Sequence, residues 1–71
     1  MPSINAKTTI KSKTYYFIEA LPNPDDSFIV WIWKVRNAKN EEFKLINTKY
    51  KYTLYDMNDK RVAQVNHITE R

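Results

Sequence analysis

Glycine and cysteine are both absent from the 71 residues. Without glycine there is no Gly-rich phosphate loop and no glycine-based dinucleotide fingerprint, so nucleotide chemistry built on those motifs is excluded. Glycine averages about 7% of ordinary proteins, and its place in tight turns has to be taken by Asn, Asp and Pro, which tolerate or preset turn dihedrals. Without cysteine there is neither a disulfide framework nor a thiolate metal site, and the aromatic residues, 14% of the chain, must supply the burial instead. The same lack accords with an intracellular, cytoplasmic protein. His67 is the single histidine, so metal-ligand spacing fails, and no metal or cofactor is expected. No apolar run approaches the ~20 residues of a membrane-spanning helix. The stretch MPSINAKTT at 1–9 lacks the apolar segment of a secretory signal, so no membrane association is expected.

Positive charge is the first thing present in excess. Twelve Lys and Arg against eight Asp and Glu leave +4 at neutral pH, with a sequence pI near 9.4. A positive field favours polyanionic partners, nucleic acid or acidic protein surfaces, without deciding between them. Residues 1–71 are read as one domain, since a chain of this size buries only about 60% of the surface it exposes unfolded. Abundant Lys, Asn, Ile and Tyr in so short a chain point to an AT-rich coding source such as a phage or another mobile element.

The stretch SFIVWIWKVR at 27–36 organises the rest. Its β-branched and aromatic run is too short to span a membrane and reads as a central β-strand buried on most of both faces. Alternation puts Ile29, Trp31, Trp33 and Val35 on one side and Phe28, Val30, Ile32, Lys34 and Arg36 on the other. Flanking strands must cover it, and the sheet must curl or gain a second layer.

Around it the pattern predicts an all-β fold, an antiparallel meander of about five strands curled into a small barrel or half-barrel. Residues 1–7 carry no periodic signal and read as a loose N-terminal segment, or one paired onto a sheet edge. Period-two alternation over 8–21, TTIKSKTYYFIEAL, gives a first strand with Ile10, Tyr16, Ile18 and Ala20 on one face and Lys11, Lys13, Tyr15, Phe17 and Glu19 on the other. PNPDD at 22–26 is a loop, and NAKN at 37–40 is a hairpin in which Asn40 takes a left-handed conformation. Over 41–55 the apolar residues change phase, from Phe43 and Leu45 to Tyr50, Tyr52 and Leu54, so a bulge or short turn near Asn47 and Thr48 must divide the segment. Asp56, Met57, Asn58 and Asp59 superficially match the opening of a calcium loop, but the glycine and the distal Glu are missing, and a hairpin turn is the better reading. After it, Val62, Val65 and Ile68 recur at helical spacing among poor helix formers; a strand is favoured, and a short C-terminal helix would make the fold α+β.

Chemistry is expected from a basic and aromatic sheet face. Lys11, Lys13 and Tyr15 share a face of the first strand, and Lys49, Lys51 and Tyr55 share a face of the fourth. Same-face neighbours lie ~6.6 Å apart, close to the spacing of phosphates on an extended strand, so lysines can follow a nucleic-acid backbone while a tyrosine stacks on a base. Lys34 and Arg36 end the central strand as further candidate contacts. The competing reading makes these lysines ordinary solvated residues that guard strand edges against aggregation. Specificity would be low, because phosphate contacts position a protein without reading bases. The alternative function is a protein-interaction module, a small inhibitor or accessory factor that binds a larger protein through an edge strand and an exposed Trp31 or Trp33. In a thin core, at least one of those two tryptophans is expected inside. A homodimer covering the second face of the central strand would also explain its two-sided apolarity. Enzymatic activity is not expected: His67 has only Tyr55, Lys60 and Arg61 as conceivable neighbours, and the adjacent acid pairs at 25–26 and 41–42 diverge instead of converging on one water.

Overall fold

The computed structural model describes residues 2–68. They form six antiparallel strands, β1 (Lys7–Ile10), β2 (Lys13–Leu21), β3 (Ile29–Arg36), β4 (Glu42–Thr48), β5 (Tyr52–Asp56) and β6 (Arg61–Val65). The sheet order follows the chain order, and the sheet curls into a half-barrel with β1 and β6 as its edges. The fold is therefore the all-β meander that the alternation predicts.

The extra strand comes from the N-terminal half. The segment 8–21 is a hairpin and not one strand, because Lys11 (φ 53°) and Ser12 (φ 69°) both adopt left-handed backbone between the paired Ile10 and Lys13. Two consecutive positive φ values define the two-residue turn whose twist matches its strands. Across that turn the phase inverts, so Thr8 and Ile10 of β1 share the inner face with Tyr15 and Phe17 of β2. Tyr15, expected on the exposed side, is thus in the core, and Tyr16 takes the outer face.

Two larger hairpins replace glycine in the same way. Between β3 and β4, Asn40 (φ 64°) is left-handed and its N–H donates to Asn37 O at 3.1 Å, while Asn37 Oδ1 accepts from the amides of Lys39 (2.9 Å) and Glu41 (3.0 Å). Between β5 and β6, Asp59 (φ 63°) takes the equivalent position, and Asp56 Oδ1 accepts from Asn58 N (2.9 Å) and Lys60 N (3.0 Å). A short Asn or Asp side chain that bonds its own backbone two to four residues on does here what glycine does elsewhere. The stretch 56–59 is a hairpin turn, as its sequence predicts.

The phase change in 41–55 is a fourth hairpin. Asn47 pairs with Tyr52 and Leu45 with Leu54, and Thr48 closes the turn through N–H to Lys51 O at 2.9 Å. The break falls at Lys49 and Tyr50, two residues later than expected. The last element is a strand, with Ala63 and Val65 against the core; residues 69–71 of that predicted element, and Met1, lie outside the described residues. Among the described residues no helix is long and apolar enough to cross a membrane.

The inner face holds one core of Ile10, Tyr15, Phe17, Trp31, Trp33, Val35, Leu45 and Leu54. Phe17 meets Trp31 (6.0 Å) and Trp33 (5.7 Å) edge to face, at 83° and 85°, the arrangement favoured by ring quadrupoles. The outer face of β3 is only half-covered, contrary to the two-sided burial expected of 27–36. Val30 is half-exposed at the register shift between Ile29 and Trp31, which pairs Ile29 with Thr48 and takes it off the tryptophan face, and Phe28 precedes the strand in the open.

Candidate nucleic-acid interface

Register assembles the outer face. One cross-strand row runs Glu19, Lys34, Lys44, Tyr55, Arg61 from β2 to β6. Beside it lies Lys7, Tyr16, Arg36, Glu42, and on its other side the apolar row Leu21, Ile32, Ile46, ending in Thr53 and Gln64. Ile29 and Thr48 form the next row, which the Thr48–Lys51 closure extends to Lys51. Two neighbouring rows thus carry most of the cations, with an apolar strip along one side of them and Lys51 beyond it.

Several of these cations are already placed by neighbours. Lys34 Nζ is 3.5 Å from Glu19 Oε1, and Lys44 Nζ pairs with the Asp59 carboxylate, which reaches in from the β5–β6 turn. The Arg36 guanidinium lies 4.5 Å above the centroid of the Tyr16 ring and donates to Asn37 O at 3.3 Å. Exposed pairs of this kind add about 0–1 kcal/mol to stability; what they do here is hold long side chains in an extended array. Six cations, Lys7, Lys34, Arg36, Lys44, Lys51 and Arg61, stand on these rows against Glu19 and Glu42, with Asp59 as the third carboxylate.

The structure separates the residues that the sequence grouped. Lys34, Arg36 and Tyr55 come together on the outer face, whereas Lys51 lies beyond the apolar row at the other end of the strands. Lys11 and Lys13 lie at the β1–β2 turn, at the opposite end of the strands from the β4–β5 turn that carries Lys49. Lys13 lines a shallow groove with Thr14, Asn37, Ala38, Lys39 and Glu41. Tyr15 is 3% exposed and meets Phe43 edge to face at 5.5 Å, so its ring has no face to offer a base. Burial, and then the charge of Glu41, push its hydroxyl pKa above the ordinary 10.0. Trp31 and Trp33 are 6% and 4% exposed, so neither presents the aromatic anchor that the alternative reading requires.

The basic face expected from sequence omits Tyr16 and Lys44, and names Arg61 only as a neighbour of His67. Alternation counted back from the buried Leu45 would have found Lys44; Tyr16 was masked by the unrecognised turn at Lys11 and Ser12. His67 is exposed beyond β6, and among the described residues no group of three His, Cys, Asp or Glu side chains is placed to hold a metal ion. Compared with known protein families, curated proteins and solved structures, the chain matches none.

Proposed function

We propose that this protein is a small, non-enzymatic, cytoplasmic module that binds nucleic acid with low sequence specificity on the outer face of its sheet. The observation that carries the reading is the row Lys34, Lys44, Tyr55, Arg61, which crosses four strands in register beside Arg36 and Tyr16. A backbone laid along it meets Lys34 and Lys44 at strand spacing, about 4.8 Å apart across the sheet, then the Tyr55 ring and Arg61, with the Tyr16 ring in the next row. Ion pairs with Glu19 and Asp59 exchange readily for phosphate, since exposed pairs hold their partners weakly.

The test is fluorescence anisotropy with labelled oligonucleotides at two salt concentrations. If about five phosphates are neutralised, raising salt from about 50 to 200 mM weakens duplex binding several hundred-fold and single-strand binding about a hundredfold. Lys51→Glu combined with Arg61→Glu cuts affinity at low salt by more than about tenfold and flattens the salt slope. Lys11→Glu combined with Lys13→Glu, an equal charge change at the far turn, has a smaller effect; an equal or larger one moves the site away from the outer face. Absence of binding at low salt removes the reading, and leaves the unpaired β6 edge with its exposed Val62 as the basis for a protein partner.

A further inference from the structure

Phe28 and Tyr50 are 53% and 74% exposed, yet they are not loose. Their ring centroids lie 6.1 Å apart at an inclination of 35°, and Lys49 Nζ sits 5.9 Å from the Phe28 centroid. Lys49 N donates to Phe28 O at 2.9 Å, and Phe28 N donates to Asp26 Oδ1 at 2.9 Å. Thr48 Oγ1 accepts from Tyr50 N (3.4 Å) and Lys51 N (3.2 Å), and Asn23 Nδ2 donates to Val30 O at 3.1 Å. Side-chain to backbone bonds thus pin both loops at this end of the sheet, and the aromatic pair is ordered before any ligand arrives.

We propose that the Phe28–Tyr50 pair is a stacking shelf for an unpaired base, which makes single-stranded nucleic acid the preferred ligand. The inference rests on the nucleic-acid reading above and deepens it. The shelf adjoins the outer face at one end of the strands, because Phe28 directly precedes Ile29 and Tyr50 lies between Thr48 and Lys51, the residues of that face's last row. An unpaired base offers a free π-face to an aromatic ring, whereas bases inside a duplex have theirs covered by neighbours. Charge separates the shelf from the rest of the face: Lys49, the cation beside the Phe28 ring, is offset by Asp25 and Asp26 in the loop at the same end of the strands. The shelf therefore contributes stacking with little net charge, and the salt dependence belongs to the cation rows.

The experiment uses the full chain with a fluorescein-labelled mixed-sequence single strand and the matching duplex, each at low and moderate salt. Wild type binds the single strand more tightly. Phe28→Ala and Tyr50→Ala each weaken single-strand binding by about five- to a hundredfold, leave duplex affinity unchanged, and leave the slope against salt unchanged. Both side chains lie outside the core, so the variants keep the fold, which their melting curves verify. Tyr50→Trp gives an independent readout: its emission is quenched by the single strand and not by the duplex, while the two native tryptophans stay buried. Equal losses on single strand and duplex, or no loss on either, overturn the shelf alone. Failure of wild type to bind either oligonucleotide at low salt overturns the nucleic-acid reading and the shelf with it.

Discussion

Phe17 of β2 and Val35 of β3 stand opposite each other in register, and neither has exposed surface. Immediately beyond them the β2–β3 pairing slips at Ile18, where Glu19 takes up Lys34. The pair therefore marks the place where the sheet bends around its core, with Phe17 edge-on to both tryptophans.

Phe17→Ala is expected to cost about 3–5 kcal/mol, the range for emptying a packed aromatic site. A chain of 71 residues has about 4–10 kcal/mol to lose, so the variant should lose a large part of its stability. Urea titration followed by far-ultraviolet dichroism measures it. A loss below about 1 kcal/mol would mean that the bend does not depend on this ring.

Ser12 holds φ 69° in the β1–β2 turn, a conformation that costs a residue with a Cβ about 1–2 kcal/mol. Ser12→Gly relieves that strain while adding freedom to the unfolded chain. The net gain expected is ~0.5–1 kcal/mol, seen as a melting temperature higher by a few degrees. Ser12→Val should lower it, and a stable Val variant would contradict the left-handed turn.

Asp56 accepts both side-chain hydrogen bonds of the β5–β6 turn on one oxygen. Asp56→Ala should destabilise the protein by about 1–2 kcal/mol, whereas Asp56→Asn keeps the acceptor and most of the stability. Amide exchange at Asn58 and Lys60 reports the change locally. Unaltered protection in the Ala variant would show that the turn is held by its backbone alone.

Tyr15 gives the fold an alkaline limit. Its pKa is raised by burial and by Glu41, above the ordinary 10.0, so the unfolded chain releases this proton at a lower pH than the folded one. The stabilisation is fully present below pH 10.0 and is lost as pH rises through the folded value. Denaturation midpoints measured from pH 8 to 11 should fall at the alkaline end, and Tyr15→Phe should flatten that fall. A parallel decline in both proteins would assign the effect to other groups.

The central strand was legible because Ile32 and Trp33 belong to an apolar run that has no other soluble reading, and the inner placement of Trp31, Trp33 and Val35 follows from alternation alone. The β4–β5 hairpin was legible from the phase change between Leu45 and Leu54, although its position slipped. Lys11 and Ser12 were not, since neither is a typical residue for a left-handed turn; the local pattern read straight through them, and the faces of Tyr15 and Tyr16 were exchanged. The outer face was half-legible. Lys34 and Arg36 could be placed opposite the tryptophans, but joining them to Lys44, Tyr55 and Arg61 requires cross-strand register, which turn lengths and bulges set and a linear pattern does not display.

The strand order, in which each strand pairs only with its predecessor and successor, bears on how the chain reaches this state. Five hairpins join the six strands, and β-hairpins form in roughly 1–10 μs. No long crossover has to close before a pairing is rewarded, so contact order stays low for an all-β fold and refolding should be fast for its class. Assembly can proceed strand by strand as a nascent chain lengthens, each new hairpin adding to the edge left by the one before.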